Sequence, residues 1–282
     1  MCRCRLASFC LKPSGKGKPD FFKGGPACPE IRKPLKCIDD MEVGIFIPCF
    51  IDQVMPETGL NMVKVLQKAG VRVAYNPEQT CCGQVAFNGG FWEEAKCVAE
   101  KFIRDFSEYQ YVVGPSASCI GMVKNYYPQM FYNSALHNEN KYLSQKIYEL
   151  TDFLVNVSKT IDLGARFDAK VTFHDSCAAL REYKLGNQPR ILLGKVQGLE
   201  LVEMKDTDVC CGFGGTFAVK HEPISTAMAE QKVQNALDTG AEYIVSTEAS
   251  CLMHLEAYIK KQQLPIKTIH LADLLVRGME NP

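Results

Sequence analysis

Residues 43–49 read Val-Gly-Ile-Phe-Ile-Pro-Cys, and residues 171–177 read Val-Thr-Phe-His-Asp-Ser-Cys. Both are short apolar runs that end in a cysteine. Thr80-Cys81-Cys82-Gly83 follows the first run, and Val209-Cys210-Cys211-Gly212 follows the second. Then Tyr111-Val112-Val113-Gly114-Pro115-Ser116-Ala117-Ser118-Cys119 is matched by Tyr243-Ile244-Val245-Ser246-Thr247-Glu248-Ala249-Ser250-Cys251. A last pair, residues 148–155 and 269–276, shares an apolar stretch around Asp152 and Asp273. Four landmarks recur in one order, with cysteine steps of 32 then 38 in the first copy and 33 then 41 in the second. The chain is an internal duplication.

Each copy alternates strand and helix. In the first, the expected strands are 43–47, 71–75 and 110–113, with helices near 54–69 and 91–106. In the second, they are 170–174, 199–203 and 242–246, with helices near 187–196, 223–238 and 251–262. Short apolar strands separated by helical segments predict βαβ units and parallel sheets. The expected fold class is α/β, two tandem homologous parallel-sheet repeats, with bounds 41–160 and 161–282. Gly70 and Gly240 follow helical stretches, where left-handed caps belong. Cys97, Trp92 and the Phe and Tyr residues read as core.

Residues 1–40 differ. They are rich in Lys, Arg, Gly and Pro, lack periodicity, and read as a poorly ordered extension. Cys2, Cys4, Cys10, Cys28 and Cys37 lie there at spacings that match no ligand pattern. Met41 is a candidate start of the folded protein. The whole chain of 282 residues carries 32 basic and 32 acidic side chains, so no basic excess points to nucleic acid. No apolar run approaches the roughly 20 residues of a membrane helix, and no signal peptide is evident. The expected location is cytoplasmic, peripheral to a membrane at most.

Fourteen cysteines in such a chain indicate metal or redox chemistry rather than a disulfide framework. Adjacent cysteines such as Cys81-Cys82 and Cys210-Cys211 rarely bridge to each other. Parallel strands finish at one sheet edge, so Cys49, Cys81, Cys82 and Cys119 are expected to converge there. Cys177, Cys210, Cys211 and Cys251 converge likewise. Four thiolates suit zinc or an iron–sulfur cluster. Neither copy has the C-x-x-C knuckle common in structural zinc sites. The glycines Gly83, Gly212, Gly214 and Gly215 can bring backbone N–H groups to a negatively charged centre. His174 is a candidate ligand, proton donor or substrate contact. Arg181 and Lys184 are candidates for holding a carboxylate. His221 and His254 carry a weaker signal. No dinucleotide fingerprint, phosphate loop or Ser–His–Asp pattern appears.

At Ile47-Pro48-Cys49, Gln79-Thr80-Cys81-Cys82-Gly83-Gln84, Ser116-Ala117-Ser118-Cys119 and residues 210–220, the chain resembles the cysteine-rich CCG family of iron–sulfur proteins. That family includes the B subunit of heterodisulfide reductase and iron–sulfur subunits of glycolate and glycerol-3-phosphate dehydrogenases. Within it, the chain is most similar to the lactate-utilization A group, the iron–sulfur oxidoreductase subunit of the L-lactate oxidation system. The resemblance spans residues 41–278. It implies an electron-transfer subunit acting with two partner proteins in NAD-independent oxidation of L-lactate, a small 2-hydroxy acid, to pyruvate. The implied cofactor is one 4Fe–4S cluster per repeat, held by the cysteine quartets. The wider family's motif ends in C-x-x-C, giving five cysteines per copy. Here Ser116 and Glu248 stand at the first position of that pair, so cubane and noncubane clusters both stay open. A heterodisulfide-reductase-like thiol–disulfide enzyme and a non-redox zinc scaffold are the alternatives.

Overall fold

The computed structural model describes residues 42–280. The extension 1–40, its five cysteines and Met41 lie outside the described residues.

Four parallel strands form the first sheet: β1 (Glu42–Ile45), β2 (Arg72–Tyr75), β3 (Tyr111–Gly114) and β4 (Ile147–Glu149), in the order β2-β1-β3-β4. The second sheet holds β5 (Arg166–Phe173), β6 (Gln197–Leu201), β7 (Tyr243–Ser246) and β8 (Lys267–His270), in the order β6-β5-β7-β8. The orders are the same, and so is the register. Val43 pairs with Tyr111 in one sheet as Val171 pairs with Tyr243 in the other. The expected α/β duplication is the observed architecture. Helices Pro56–Lys68, Trp92–Phe106, Glu222–Leu237 and Ala249–Gln262 fall close to their expected places. Gly70 and Gly240 follow helices with positive φ of 78° and 70°.

The inner strands β1, β3 and β7 read as short, nearly continuous apolar runs because both of their faces are covered. Val43, Ile45 and Val113 point into one core, and Phe46 and Val112 into another. The first of these cores is shared: it also takes Val171, Phe173, Val245 and Ile269 from the second sheet. The two repeats are thus welded by common apolar burial, the dominant favourable term in folding.

Polar contacts add to the weld. The helix Leu271–Glu280 of the second repeat lies against Pro56–Lys68 of the first. There Asp273 accepts from Thr58 Oγ1 and Asn61 Nδ2, both at 2.8 Å. The matching Asp152 accepts from Tyr183 at 2.5 Å and Gln188 at 3.3 Å. This explains the recurrence of the last sequence landmark: each copy ends in an aspartate that grips the other copy.

Just before each of these aspartates a buried side chain caps the helix. Glu149 Oε2 accepts the N–H of Thr151 at 2.7 Å and of Asp152 at 3.2 Å. In the second copy His270 does this work, its Nδ1 accepting from Ala272 N–H at 3.2 Å.

Three expectations fail in the first copy. Cys97 and Trp92 are exposed, Trp92 by 63%. The helix Trp92–Phe106 buries Ala95, Ala99, Phe102, Ile103 and Phe106, and Cys97 and Trp92 lie off that stripe. Phe91, Tyr132 and Tyr142 are exposed as well.

Burial pushes the Glu149 carboxyl up to about 7 from an ordinary 4.5, against the lowering effect of its hydrogen bonds. A carboxyl raised on folding contributes its stability below the unfolded value and loses it as pH rises through the folded one. Unfolding free energy should therefore drop by on the order of 2–3 kcal/mol between about pH 5 and pH 8. Glu149→Gln keeps the acceptor and should flatten that slope in urea titrations. An unchanged slope in the variant would show that Glu149 does not cause it.

Candidate metal centre

Cys49 opens the helix Cys49–Val54 directly after β1. Cys119 lies in the first turn of Ala117–Asn125, after β3. Cys81 and Cys82 come from the loop after β2, which Gln79 fastens down. Its Oε1 accepts Ile47 N–H at 2.7 Å, and its Nε2 donates to Ile45 O at 3.3 Å. Three sheet ends thus deliver four thiols to one place.

The second copy repeats the delivery with other side chains. Cys177 opens a helical turn after β5, and Cys251 lies in the first turn of Ala249–Gln262 after β7. The strand end is held by Arg190, whose guanidinium bridges Asp175 at 2.6 and 2.9 Å and Glu203 at 2.6 and 3.0 Å. Short helices that start at the sulfurs direct their positive ends toward them, which favours thiolate.

Each quartet is built from one repeat. Cys49 donates to Cys81 Sγ at 3.4 Å, and Cys177 to Cys210 Sγ at 4.0 Å. All eight sulfurs belong to free thiols. The hydrogen bond from Cys49, then that from Cys82, holds the Cys81 thiol down to about 3, and the Gly83 N–H at 3.4 Å assists. Cys210 is held down to about 2 by Cys177 and Cys211, with the Gly212 N–H at 3.4 Å. Cys49, Cys82, Cys177 and Cys211 are pushed up, because each donates to an anionic neighbour or lies buried beside one. The Cys251 thiol sits at about 7, lowered by Cys211 first.

Each centre therefore holds a thiolate in the absence of any cation, and a bound cation would draw off the protons of its neighbours. Soft sulfur donors in fours, backed by backbone N–H groups, fit a metal ion or an iron–sulfur cluster.

Both quartets line one cavity of about 320 Å³. Its wall also contains Phe50, Phe213, Gly214, Gly215 and Thr216. The Phe50 and Phe213 rings meet edge to face across the two copies, 5.9 Å apart. Of the glycines expected to serve the centre, Gly214 and Gly215 form wall, while Gly83 and Gly212 back the sulfurs.

At the seam lies Glu248, only 4% exposed. Its carboxylate accepts from Ser116 Oγ at 3.1 and 3.2 Å, Ser118 N–H at 3.0 Å and Ser250 Oγ at 3.2 Å. Ser116 and Glu248 were visible in the sequence as the two residues at matched places before Cys119 and Cys251. That they bond to each other across the repeats was not.

Arg181 and Lys184 are exposed and do not line the cavity; Glu182 does. No cationic side chain lines it among the described residues. The carboxylate-holding role expected of Arg181 has no support here, because the residue is carried on the outer side of its helical turn. His221 is exposed, and His254 pairs with Ser225 Oγ at 3.2 Å. His174 is fully buried beside Cys211 and Cys251. No helix is long and apolar enough to cross a membrane among the described residues.

Comparison with known proteins agrees with the duplication. The cysteine-rich domain (CCG) family model matches residues 43–124 and again 171–256. Lactate utilization protein A of an Exiguobacterium strain is 39% identical over 84% of this chain and 98% of its own. The protein of the same name from Halalkalibacterium halodurans is 40% identical over 83% of this chain and 96% of its own. Lactate utilization protein A 2 of Bacillus cereus is 37% identical over 85% and 99%.

The glycine turns are open to test. A Cβ at Gly212, where φ is +95°, would lie 2.6 Å from Ser225 O and 2.9 Å from Met228 Cβ. Gly215 also has positive φ, but a Cβ there meets open space. Gly212→Ala, which adds a backbone clash to the strained φ, should cost roughly 3 kcal/mol or more, and Gly215→Ala, which meets backbone strain alone, roughly 1–2 kcal/mol. Urea unfolding of the two variants checks the difference; equal costs would mean that the Ser225 contact yields freely.

Proposed function

This chain belongs to the cysteine-rich domain (CCG) family, and from that premise we propose that it is an iron–sulfur electron-transfer subunit for the oxidation of L-lactate to pyruvate without NAD. The observation that carries this reading is the pair of cysteine quartets opening on one cavity. Cys49, Cys81, Cys82 and Cys119 would hold one centre, and Cys177, Cys210, Cys211 and Cys251 the other. One 4Fe–4S cluster per repeat is the cofactor we assign. Such clusters accept and pass single electrons.

The protein's own residues contribute the rest. Gly83 and Gly212 donate N–H bonds to the two anionic sulfurs. Phe50 and Phe213 place an apolar edge-to-face contact between the copies. The cavity wall carries the acids Glu182 and Glu248 and no cation among the described residues. An anionic 2-hydroxy acid finds nothing there to pair with. We therefore place lactate on a partner protein, which removes two electrons and two protons from it and passes the electrons here one at a time. The names of the relatives support the lactate assignment. The two-partner complex and a cytoplasmic location, peripheral to the membrane through those partners, belong to this proposal.

The test is anaerobic purification of the full chain, with iron, sulfide and zinc analysis and visible spectra before and after dithionite. Several irons with equal sulfide per chain and a charge-transfer band that bleaches are expected. Cys81→Ser and Cys210→Ser should each remove about half of the iron, since four thiolates serve each cluster. With its partner subunits present, L-lactate alone should bleach the band. A colourless protein with about two zincs per chain, as for two tetrahedral Cys₄ sites, would overturn the electron-transfer reading. A cluster that lactate and the partners never reduce would overturn the substrate.

A further inference from the structure

His174 and Phe46 occupy the same place in the two copies. Phe46 N–H donates to Val113 O at 2.9 Å, and His174 N–H donates to Val245 O at 2.8 Å. Both side chains are fully buried. Phe46 is an ordinary core residue, packed edge to face on Phe102 and Phe106 with centroids 4.8 and 5.8 Å away. His174 has no such reason to be inside. Neither of its ring nitrogens has a hydrogen-bond partner. A buried imidazole with both nitrogens unmet carries an unpaid desolvation cost, and proteins rarely tolerate that without a purpose.

The surroundings supply the purpose. A ring nitrogen of His174 and the Sγ atoms of Cys211 and Cys251 lie within 4.8 Å of one another. Within this apolar surrounding the groups that face the ring are these two sulfurs. The three atoms are close enough together to share one metal ion, with nitrogen and sulfur as donors. Soft thiolate and borderline imidazole together suit zinc, iron or copper.

We propose that His174 is a metal ligand of the second centre, which makes the two centres chemically different: all-thiolate in the first repeat, thiolate and imidazole in the second. This rests on the reading of the quartets as metal-binding. Phe46 cannot ligate, so the first centre has no counterpart. With neutral imidazole taking the place of one of the quartet's four thiolates, the metal carries less negative charge, and histidine in place of cysteine raises the potential of iron–sulfur centres. The second centre is then the better electron acceptor of the pair, and the chain has a built-in direction for electron flow, from the first repeat to the second.

The experiment is pulsed EPR of the reduced, iron-loaded full chain, with a redox titration. A strongly coupled nitrogen is expected in the wild type. It should be lost in His174→Phe, which copies the first repeat, and in His174→Cys, which keeps a ligand and preserves metal content if the Phe variant folds poorly. The higher of two midpoint potentials should fall toward the lower in both variants, while the lower stays. The full chain loaded with cobalt(II) alone reports the donor set without any cluster. There the nitrogen coupling should again appear in the wild type and vanish in His174→Cys. A cluster without a strongly coupled nitrogen, or potentials unmoved by both variants, overturns the ligand and leaves the electron-transfer reading standing. Nitrogen coupling on cobalt in a chain that never assembles iron and sulfide upholds the ligand and removes the cluster reading.

Discussion

Four sulfurs crowded at one sheet edge cannot all ionise in the absence of a cation. Two unit charges 4 Å apart repel by about 4 kcal/mol at an effective dielectric of 20. The structure resolves this by alternation. Cys81 and Cys210 keep the negative charge, and their neighbours keep protons and donate them as hydrogen bonds. Much of the local architecture serves this one constraint. The Gly83 and Gly212 turns exist to direct N–H groups at the two anionic sulfurs. Helices begin at Cys49 and just before Cys119 and Cys251, with their positive ends toward the charge. Each arrangement is built around one thiolate, Cys81 or Cys210, and can carry more charge once a metal shares the load.

Duplication supplied the frame, and divergence at matched places gave it distinct parts. The strand ends that carry Cys49 and Cys177 are fixed by Gln79 in one copy and by the Arg190–Asp175–Glu203 cluster in the other. The terminal helices are capped by Glu149 in one and His270 in the other. At the seam Ser116 faces Glu248, a pairing that a symmetric dimer of two identical copies could not make. Such a dimer would set serine against serine or carboxylate against carboxylate. The hetero pair fixes the register of one copy on the other in a single arrangement, an economy open to a fused duplication.

The fold was largely legible because burial on both faces leaves a plain apolar signature, and because each cysteine marks a strand end. The short strands β4 and β8 escaped, since Ile147–Glu149 and Lys267–His270 are three and four residues long and carry polar residues. Residue type alone places Trp92 and Cys97 in the core, but their helical phase puts both off the buried stripe of Ala95, Ala99, Phe102, Ile103 and Phe106. The quartets were legible as sets; their shared cavity was not, because it depends on how the two sheets meet. That meeting is decided by Asp152, Asp273 and the common core, contacts between residues as many as 215 positions apart. His174 stood out only as a histidine near a cysteine. What distinguishes it is the lack of partners on both nitrogens, a property of the folded surroundings.

The cavity's charge balance has a consequence for what can enter it. Thiolates and two acids line it, with no described cation to offset them. Glu248 is tolerated because Ser116, Ser118 and Ser250 satisfy its oxygens. A further anion entering the same space would meet sulfur and carboxylate charge across a few ångströms of low-dielectric wall. A metal cation is attracted to such a site where an anion is repelled. That asymmetry is what the proposed relay function requires of the pocket. The absence of a lysine or arginine from the wall, among the described residues, is as informative as the presence of the cysteines.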